Sequence, residues 1–518
     1  MTSRYLGLFA LYVLSSLTLV GCVGLQPQST QTGGGGGGGG TGSLQSMNHI
    51  IMFAQENRSF DHYFGAMREY WAQNNIADQS FDGLPQFNPN SGITPLYGAP
   101  PAIEGCNPAD PFIPATGGMA AQNLDCVPDT TTQVTSFHMA SMCTEEPSPF
   151  WNEAHVDWDL NDPTGLTSAA LNGFVVTAAN DARQVTPPLN DTNGLRAMGY
   201  FDGGDLNYYY FMASNFSTSD RWFTPVMSRT QLNRAYLLSA TSAGHVYPYV
   251  GYTQPPIFQA LQTAGITWKI YVNPEGTNCT ATDSTCLAGN SYISMFTYEQ
   301  TILNTPSLLQ NIVPISQFTT DVQNGTLPQV ALIEPASGAA LDEHPNDTDT
   351  ESPNDIQAGA NYASGLINTF MNSPSWKDSA LIFTYDEFGG FYDHVSPQPM
   401  PSPDGIEPVD LQPTDICDGP GQLGTGTCNF TYTGYRVPMI VISPFAKKNY
   451  VSHTVYDYTA ILALIEKRFG VSALTKRDAD QADMSADFFD FVNAPWATPP
   501  SPPAQITNGQ CSLSAPTP

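Results

Sequence analysis

Apolar residues along this chain gather in short runs of strand length, bounded by polar residues, glycine or proline, at 49–54, 267–272, 329–333, 380–384 and 437–442. Runs that are apolar throughout, without alternation, predict strands buried on both faces, as in a parallel sheet. Between them, 256–264, 362–372 and 456–469 are patterned as helices, the last with Ile461, Leu464, Ile465 and Phe469 on one face. Strands alternating with helices predict an α/β fold, a three-layer sandwich around a mostly parallel central sheet. Stretches 66–135 and 397–433 are rich in Pro, Gly, Asn and Asp and read as long loop insertions carrying cysteines. No internal repeat is visible, so one catalytic domain over 47–493 is expected, followed by a Pro-rich tail, 494–518, lying over the surface.

The first 22 residues have the pattern of an export signal: Arg4, an apolar stretch at 6–20, then Leu19-Val20-Gly21-Cys22. The last four resemble a bacterial lipobox, which implies lipidation of Cys22 and removal of everything before it. Residues 23–46, glycine at every position from 33 to 40, are patterned as a flexible tether. The expected location is therefore a bacterial envelope membrane, outer membrane or cell surface, with contact through the N-terminal lipid. Of the nine cysteines, eight remain when Cys22 is set aside, and an even number in an exported chain favours disulfides. Cys279 with Cys286 and Cys417 with Cys428 read as local staples. Cys106, Cys126, Cys143 and Cys511 can pair in three ways, which spacing does not decide.

Charge narrows the function. With 17 Lys and Arg against 47 Asp and Glu, the net charge of -30 repels nucleic acid and anionic membrane surfaces. An anionic phosphate ester remains possible where a cation locally reverses the field. In open α/β sheets ligands bind beyond the carboxyl ends of strands, and two apolar runs end directly in acids. The run from His49 leads into Glu56 and Asn57; the run from Ala380 leads into Asp386 and Glu387, with Gly389 and Gly390 following. Their carboxylate and amide oxygens suit one hard cation.

Longer words surround these residues: Glu56-Asn57-Arg58-Ser59-Phe60-Asp61-His62-Tyr63-Phe64-Gly65, Met198 through Asp205, Asp220 through Phe223, and Thr230-Gln231-Leu232-Asn233-Arg234. Asp342-Glu343-His344-Pro345, Tyr385 through Val395, and Arg436 on through His453 and Asp457 complete the series. In that order they resemble the bacterial phosphoesterases that include phosphatidylcholine-type phospholipases C and acid phosphatases. The resemblance implies an alkaline-phosphatase-like fold and hydrolysis of phosphate esters through a phospho-threonine intermediate. It further implies one divalent ion held by Glu56, Asn57, Asp386 and Glu387 facing the Thr230 hydroxyl. Oxygen ligands favour Ca, Mg or Mn over Zn.

His155, His344 and Asn233 are the candidates for binding the phosphate, with one histidine protonating the leaving alcohol. Arg58, Asp61, Asp393, His394 and His453 are supporting candidates that would orient a ligand or a loop. Thr230, where the acid phosphatase branch tends to have serine, favours a phospholipase C-type phosphodiesterase. The alternatives are a broad-specificity acid phosphatase and, from a different class, a surface binding protein on an inactive scaffold. The aromatic stretch from Tyr208 to Phe211 could cage a choline group or pack in the core, and core packing is favoured. The chain stops soon after Asp490, without the β-rich C-terminal domains that the resemblance attaches to haemolytic members, an expectation against a membrane-lysing role. The expected partner is thus a phosphate-ester small molecule or phospholipid head group, with no nucleic acid, and the sequence leaves oligomeric state open.

Overall fold

A computed structural model describes residues 42–88, 97–112, 125–165, 169–249, 251–280, 282–292, 300–348 and 353–518. The export signal, Cys22 and most of the tether lie outside the described residues. The last part of the tether is more structured than its composition implies. Leu44–Ser46 forms a 3-10 turn capped by Ser43, and Leu44 packs against the core.

The centre is an eight-stranded sheet. In chain order its strands are β1 (His49–Gln55), β2 (Ser217–Ser219), β3 (Trp268–Val272) and β4 (Ile312–Pro314), then β5 (Val330–Ile333), β6 (Ser379–Tyr385), β7 (Met439–Ile442) and β8 (Tyr450–Ser452). Their spatial order is β8-β2-β7-β6-β1-β5-β3-β4. Strand β1 lies parallel between β5 and β6, pairing Phe53 with Ile333 on one side and Phe383 on the other. Every residue of β5, β6 and β7 is buried, which accounts for their largely apolar sequences.

One strand departs from the expected direction. The run at 437–442 reads as another parallel strand, yet β7 is antiparallel to both β6 and β2. The segment between β6 and β7 contains no helix to carry the chain back to the far edge of the sheet, so it returns from the end at which it left. The sheet stays mostly parallel, and the fold is α/β.

The helical patterns settle as α4 (Ile257–Thr263), α5 (Ile356–Met371) and α6 (Thr459–Phe469), joined by α1 (Phe60–Phe64), α2 (Trp151–Trp158) and α3 (Thr230–Ser239). Asp355 caps α5 by accepting from the N–H groups of Gln357 and Ala358. Helix α3 packs against α4 and α6, while α5 packs against Asn207–Asn215 and Ile315–Asn324. The stretch read as a loop at 66–135 carries a helix, Met67–Gln73, and an antiparallel pair, Ala102–Cys106 with Pro128–Thr135. Thr and Val in the second strand of that pair were hidden by the polar residues interleaved with them.

Four disulfides join Cys106 to Cys126, Cys143 to Cys511, Cys279 to Cys286, and Cys417 to Cys428. The second ties the C-terminal segment to the body, where Ser512 N donates to Ser141 Oγ and Met142 N donates to Gln510 O.

Candidate active site

The site grows from the carboxyl ends of β1 and β6. These strands pair from His49 with Ser379 through Gln55 with Tyr385, so the acids that follow them emerge side by side. The junction is stitched by backbone. Asp386 N donates to Gln55 O at 3.0 Å, Arg58 N to Glu387 O at 3.0 Å, and Glu56 N to Asp342 O at 3.0 Å. Asp386 Oδ1 accepts from Asn57 N at 2.9 Å and from Glu387 N at 2.8 Å. Asn57 adopts a left-handed conformation, φ 57°, which an asparagine tolerates better than most residues. Gly389, also left-handed, is required here because a Cβ would lie 2.3 Å from Asn57 O.

Thr230 enters from the opposite side, at the first position of α3. Its Oγ1 is 3.2 Å from Asn57 Oδ1 and 3.4 Å from Glu56 Oε2. One turn along the same helix, Arg234 donates from Nη2 to Glu56 Oε1 and to Ala54 O, and its Nε is 3.5 Å from Asp386 Oδ2. The helix thus presents a hydroxyl and a cation on one face, the i and i+4 positions.

His344 closes the third side. Its Nδ1 pairs with Pro345 O, which fixes the proton on Nδ1 and leaves Nε2 to meet Asn57 Nδ2 at 3.1 Å. Asn57 Nδ2 also donates to Glu146 Oε1 at 2.5 Å. Behind His344, Glu343 is fully buried, with φ 69°. Its carboxylate accepts from Tyr63 and Tyr385 hydroxyls, each at 2.8 Å, from Tyr209 at 2.5 Å and from Gln55 Nε2 at 3.2 Å. Arg58 donates through Nε to Glu343 O at 2.9 Å, so this supporting candidate holds the loop that carries His344.

Glu56, Asn57, Thr230, His344 and Glu387 line one cleft of about 530 Å³, with Glu146, Asp181, Asp342 and Asp347 around them. Burial raises the Glu56 carboxyl well above its usual range; Arg234 opposes this, and Asp386 and Asp342 add to it. Burial likewise raises Glu387, with Asp386, Glu146 and Glu56 reinforcing it. Burial and then the neighbouring Asp347 raise Glu146. Arg234 answers two of these carboxylates, Glu56 and Asp386. Asp386 Oδ2 and Glu387 Oε1 are buried with no hydrogen-bond partner among the described residues. Buried carboxylate oxygens left over after such pairing suit a hard divalent cation. A histidine-containing group at the same cleft, Glu146, His344 and Asp347, also has ligand atoms close enough to share an ion.

Two expected phosphate ligands are not brought to this cleft. Asn233 is buried in its own turn: Oδ1 accepts from Val226 N at 3.2 Å and Nδ2 donates to Ser228 O at 2.7 Å. His155 lies on the inner face of α2, its ring tilted against that of Trp151 with centroids 4.1 Å apart and Nδ1 on Trp151 O. Burial depresses it to about 4.

The supporting candidates form separate clamps. Arg436 binds both oxygens of Asp393 and reaches Asp61, while His394 bridges Asp61 at 2.6 Å and Asp82 at 3.1 Å. His453 meets Asp220 at 2.9 Å on the surface. Tyr208, Tyr209 and Tyr210 are buried, and none lines the cleft. Glu146, Asp347, Arg229 and Arg234 escaped sequence reasoning. Only Arg234 left a signal there, one helical turn after Thr230.

Residues 47–472 match the Phosphoesterase family. The chain is 29% identical over 489 residues to phospholipase C B of Mycobacterium tuberculosis, covering 89% of this chain and 80% of that one. It is 26% identical to the non-hemolytic phospholipase C of Pseudomonas aeruginosa, covering 83% of this chain and 55% of that protein. A plant relative, non-specific phospholipase C3 of Arabidopsis thaliana, is 27% identical over 84% of this chain and 72% of its own. Since the family match runs across most of the sequence and includes every residue lining the acid cleft, the chain belongs to the phosphoesterase family and is a phosphoric ester hydrolase.

Proposed function

We propose that this chain is a phospholipase C-type phosphodiesterase that passes the phosphoryl group first to Thr230 and then to water. The observation that carries this reading is the seat of Thr230, whose hydroxyl stands at a helix N-terminus within reach of Glu56 and Asn57 in an acid-lined cleft. The relatives named as phospholipases C support the substrate class. Glu56, Asn57, Thr230, Asp386 and Glu387 are the residues that would hold one divalent ion. Such an ion lowers the pKa of a bound hydroxyl and offsets phosphate charge.

In the first half-reaction Thr230 Oγ1 attacks phosphorus, and the bond from phosphorus to the alcohol oxygen breaks. Free N–H groups in the first turn of α3 offer donors to the phosphate oxygens. His344 exchanges protons at Nε2, since Nδ1 is engaged with Pro345. Nε2 takes the Thr230 hydroxyl proton and passes it to the leaving alcohol; it then takes a proton from the water that cleaves phospho-threonine and returns it to Thr230 Oγ1.

We also propose export and lipid anchoring at Cys22. Four disulfides support an oxidising compartment. Labelling with a fatty acid that is lost in a Cys22→Ala variant tests this part.

The activity test is hydrolysis of p-nitrophenylphosphorylcholine and p-nitrophenyl phosphate, with and without a chelator. Chelator-sensitive turnover of the diester is expected. Turnover of the monoester alone moves the assignment to an acid phosphatase, and turnover of neither moves it to a binding protein.

A further inference from the structure

The cleft is lined by six acids, Glu56, Glu146, Asp181, Asp342, Asp347 and Glu387. Among the described residues that line it, Arg229 alone carries a guanidinium or ammonium group. That makes Arg229 unlike the other arginines near the site. Arg58 and Arg234 are buried, Arg58 spent on the Glu343 carbonyl and Arg234 on Glu56 and Asp386. Arg229 is partly exposed, and among the described residues it forms no ion pair within 4.0 Å. Its Nε donates to Gln231 Oε1 at 2.6 Å, and its guanidinium lies 4.2 Å from the centroid of Phe150, itself a cleft residue. An aromatic face holds a guanidinium without neutralising it.

The backbone beneath this side chain is fixed. Arg229 is the N-cap of α3, in extended conformation, and its carbonyl accepts from Asn233 N at 3.3 Å. The cation is therefore rooted one residue before Thr230, beside the free N–H groups of a ten-residue helix. A phosphate ester entering the cleft meets a field set by carboxylates, and a guanidinium with planar paired donors is the side chain that matches phosphate oxygens.

Resting on the phosphodiesterase reading above, we propose that Arg229 swings from Phe150 to bind the non-bridging oxygens of the substrate phosphate. It thereby makes the cleft select singly charged phosphodiesters over doubly charged phosphomonoesters. A divalent ion held by Glu56, Asp386 and Glu387 would be largely balanced by those carboxylates, so Arg229 adds one positive charge for the phosphate, and the second charge of a monoester faces Glu146, Asp181, Asp342 and Asp347.

The test uses the full chain with Arg229→Gln and Arg229→Lys variants, assayed on p-nitrophenylphosphorylcholine and p-nitrophenyl phosphate over a range of salt. Arg229→Gln should raise KM for the diester by roughly 10-fold or more, with kcat within about 3-fold, because a bidentate charged contact is lost. Arg229→Lys should recover part of that loss. The native chain should show a KM that rises with salt, and that rise should flatten in the Gln variant. Melting temperature should not move, since among the described residues the guanidinium is held by Gln231 and Phe150 alone. Diester turnover with an unchanged KM and salt profile in Arg229→Gln overturns the proposal and leaves the phosphodiesterase reading standing. Calorimetric binding of orthophosphate separates the reverse case: affinity that falls about 10-fold in Arg229→Gln, in a native chain that turns over only the monoester, keeps the arginine as phosphate ligand and removes its diester selectivity.

Discussion

Thr230 Oγ1 lies 3.2 Å from Asn57 Oδ1 although 173 residues separate them, and this contact joins the start of α3 to the end of β1. Thr230→Ala should lower kcat by about 10³-fold or more if the hydroxyl is the attacking atom. The same variant should keep its melting temperature, because the hydroxyl contributes only long hydrogen bonds to the two side chains it meets. Thr230→Ser should retain measurable turnover. Equal kcat in the native chain and the Ala variant would sink the mechanism.

Glu387 gives a test of the cation that does not depend on turnover. Its buried carboxyl is crowded by Asp386, Glu146 and Glu56, and one oxygen has no partner among the described residues. Glu387→Gln removes a negative charge while conserving shape. In chelator the variant should therefore melt higher than the native chain. Adding a divalent ion should raise the native melting temperature by mass action, and the increment should shrink sharply in the variant. Calcium, magnesium, manganese and zinc should be compared by thermal denaturation, and a native chain indifferent to all of them would contradict the cation reading.

How much of this site could be read in the sequence follows from where its residues sit. Glu56, Asn57, Asp386 and Glu387 were legible because parallel strands in register deliver whatever follows them to one edge of the sheet. Glu146 and Asp347 were not, because they belong to loops without periodicity. They are brought together at the cleft by the pairing of Glu145 with Asn346. His155 misled for a local reason: it and Trp151 are four apart on α2, so one helical face turns both inward. The direction of β7 was equally hidden, since a buried apolar run reads the same in either orientation.

The His394 clamp predicts a pH signature. Burial alone would depress the imidazole, but Asp61, together with hydrogen bonds to Asp61 and Asp82, outweighs it and raises His394 to about 9 from 6.5. A histidine raised on folding stabilises fully below its unfolded value and loses that contribution as pH rises through the folded one. The stability gap between the native chain and His394→Gln should thus be widest at or below about pH 6.5 and close towards pH 9. Urea unfolding at several pH values measures the gap. A gap that widens with pH would show that the charged imidazole is not what the clamp holds.

Two glycines in α5 should respond oppositely to the same substitution. Glycine inside a helix costs about 1 kcal/mol relative to alanine, so Gly→Ala is favourable wherever there is room. At Gly365 a Cβ would meet nothing within 4 Å, and Gly365→Ala should stabilise by about 0.5–1 kcal/mol. At Gly359 a Cβ would lie 2.3 Å from Glu343 Cγ, and that side chain cannot give way because three tyrosine hydroxyls and Gln55 hold its carboxylate. Gly359→Ala should therefore destabilise by about 1–3 kcal/mol through overpacking. Because Glu343 precedes His344, the same change should also lower kcat, while Gly365→Ala leaves it unaltered. Denaturant melts with kcat for both variants check the pair, and a Gly359→Ala chain as stable and active as the native one would mean that the buried carboxylate does not position the histidine.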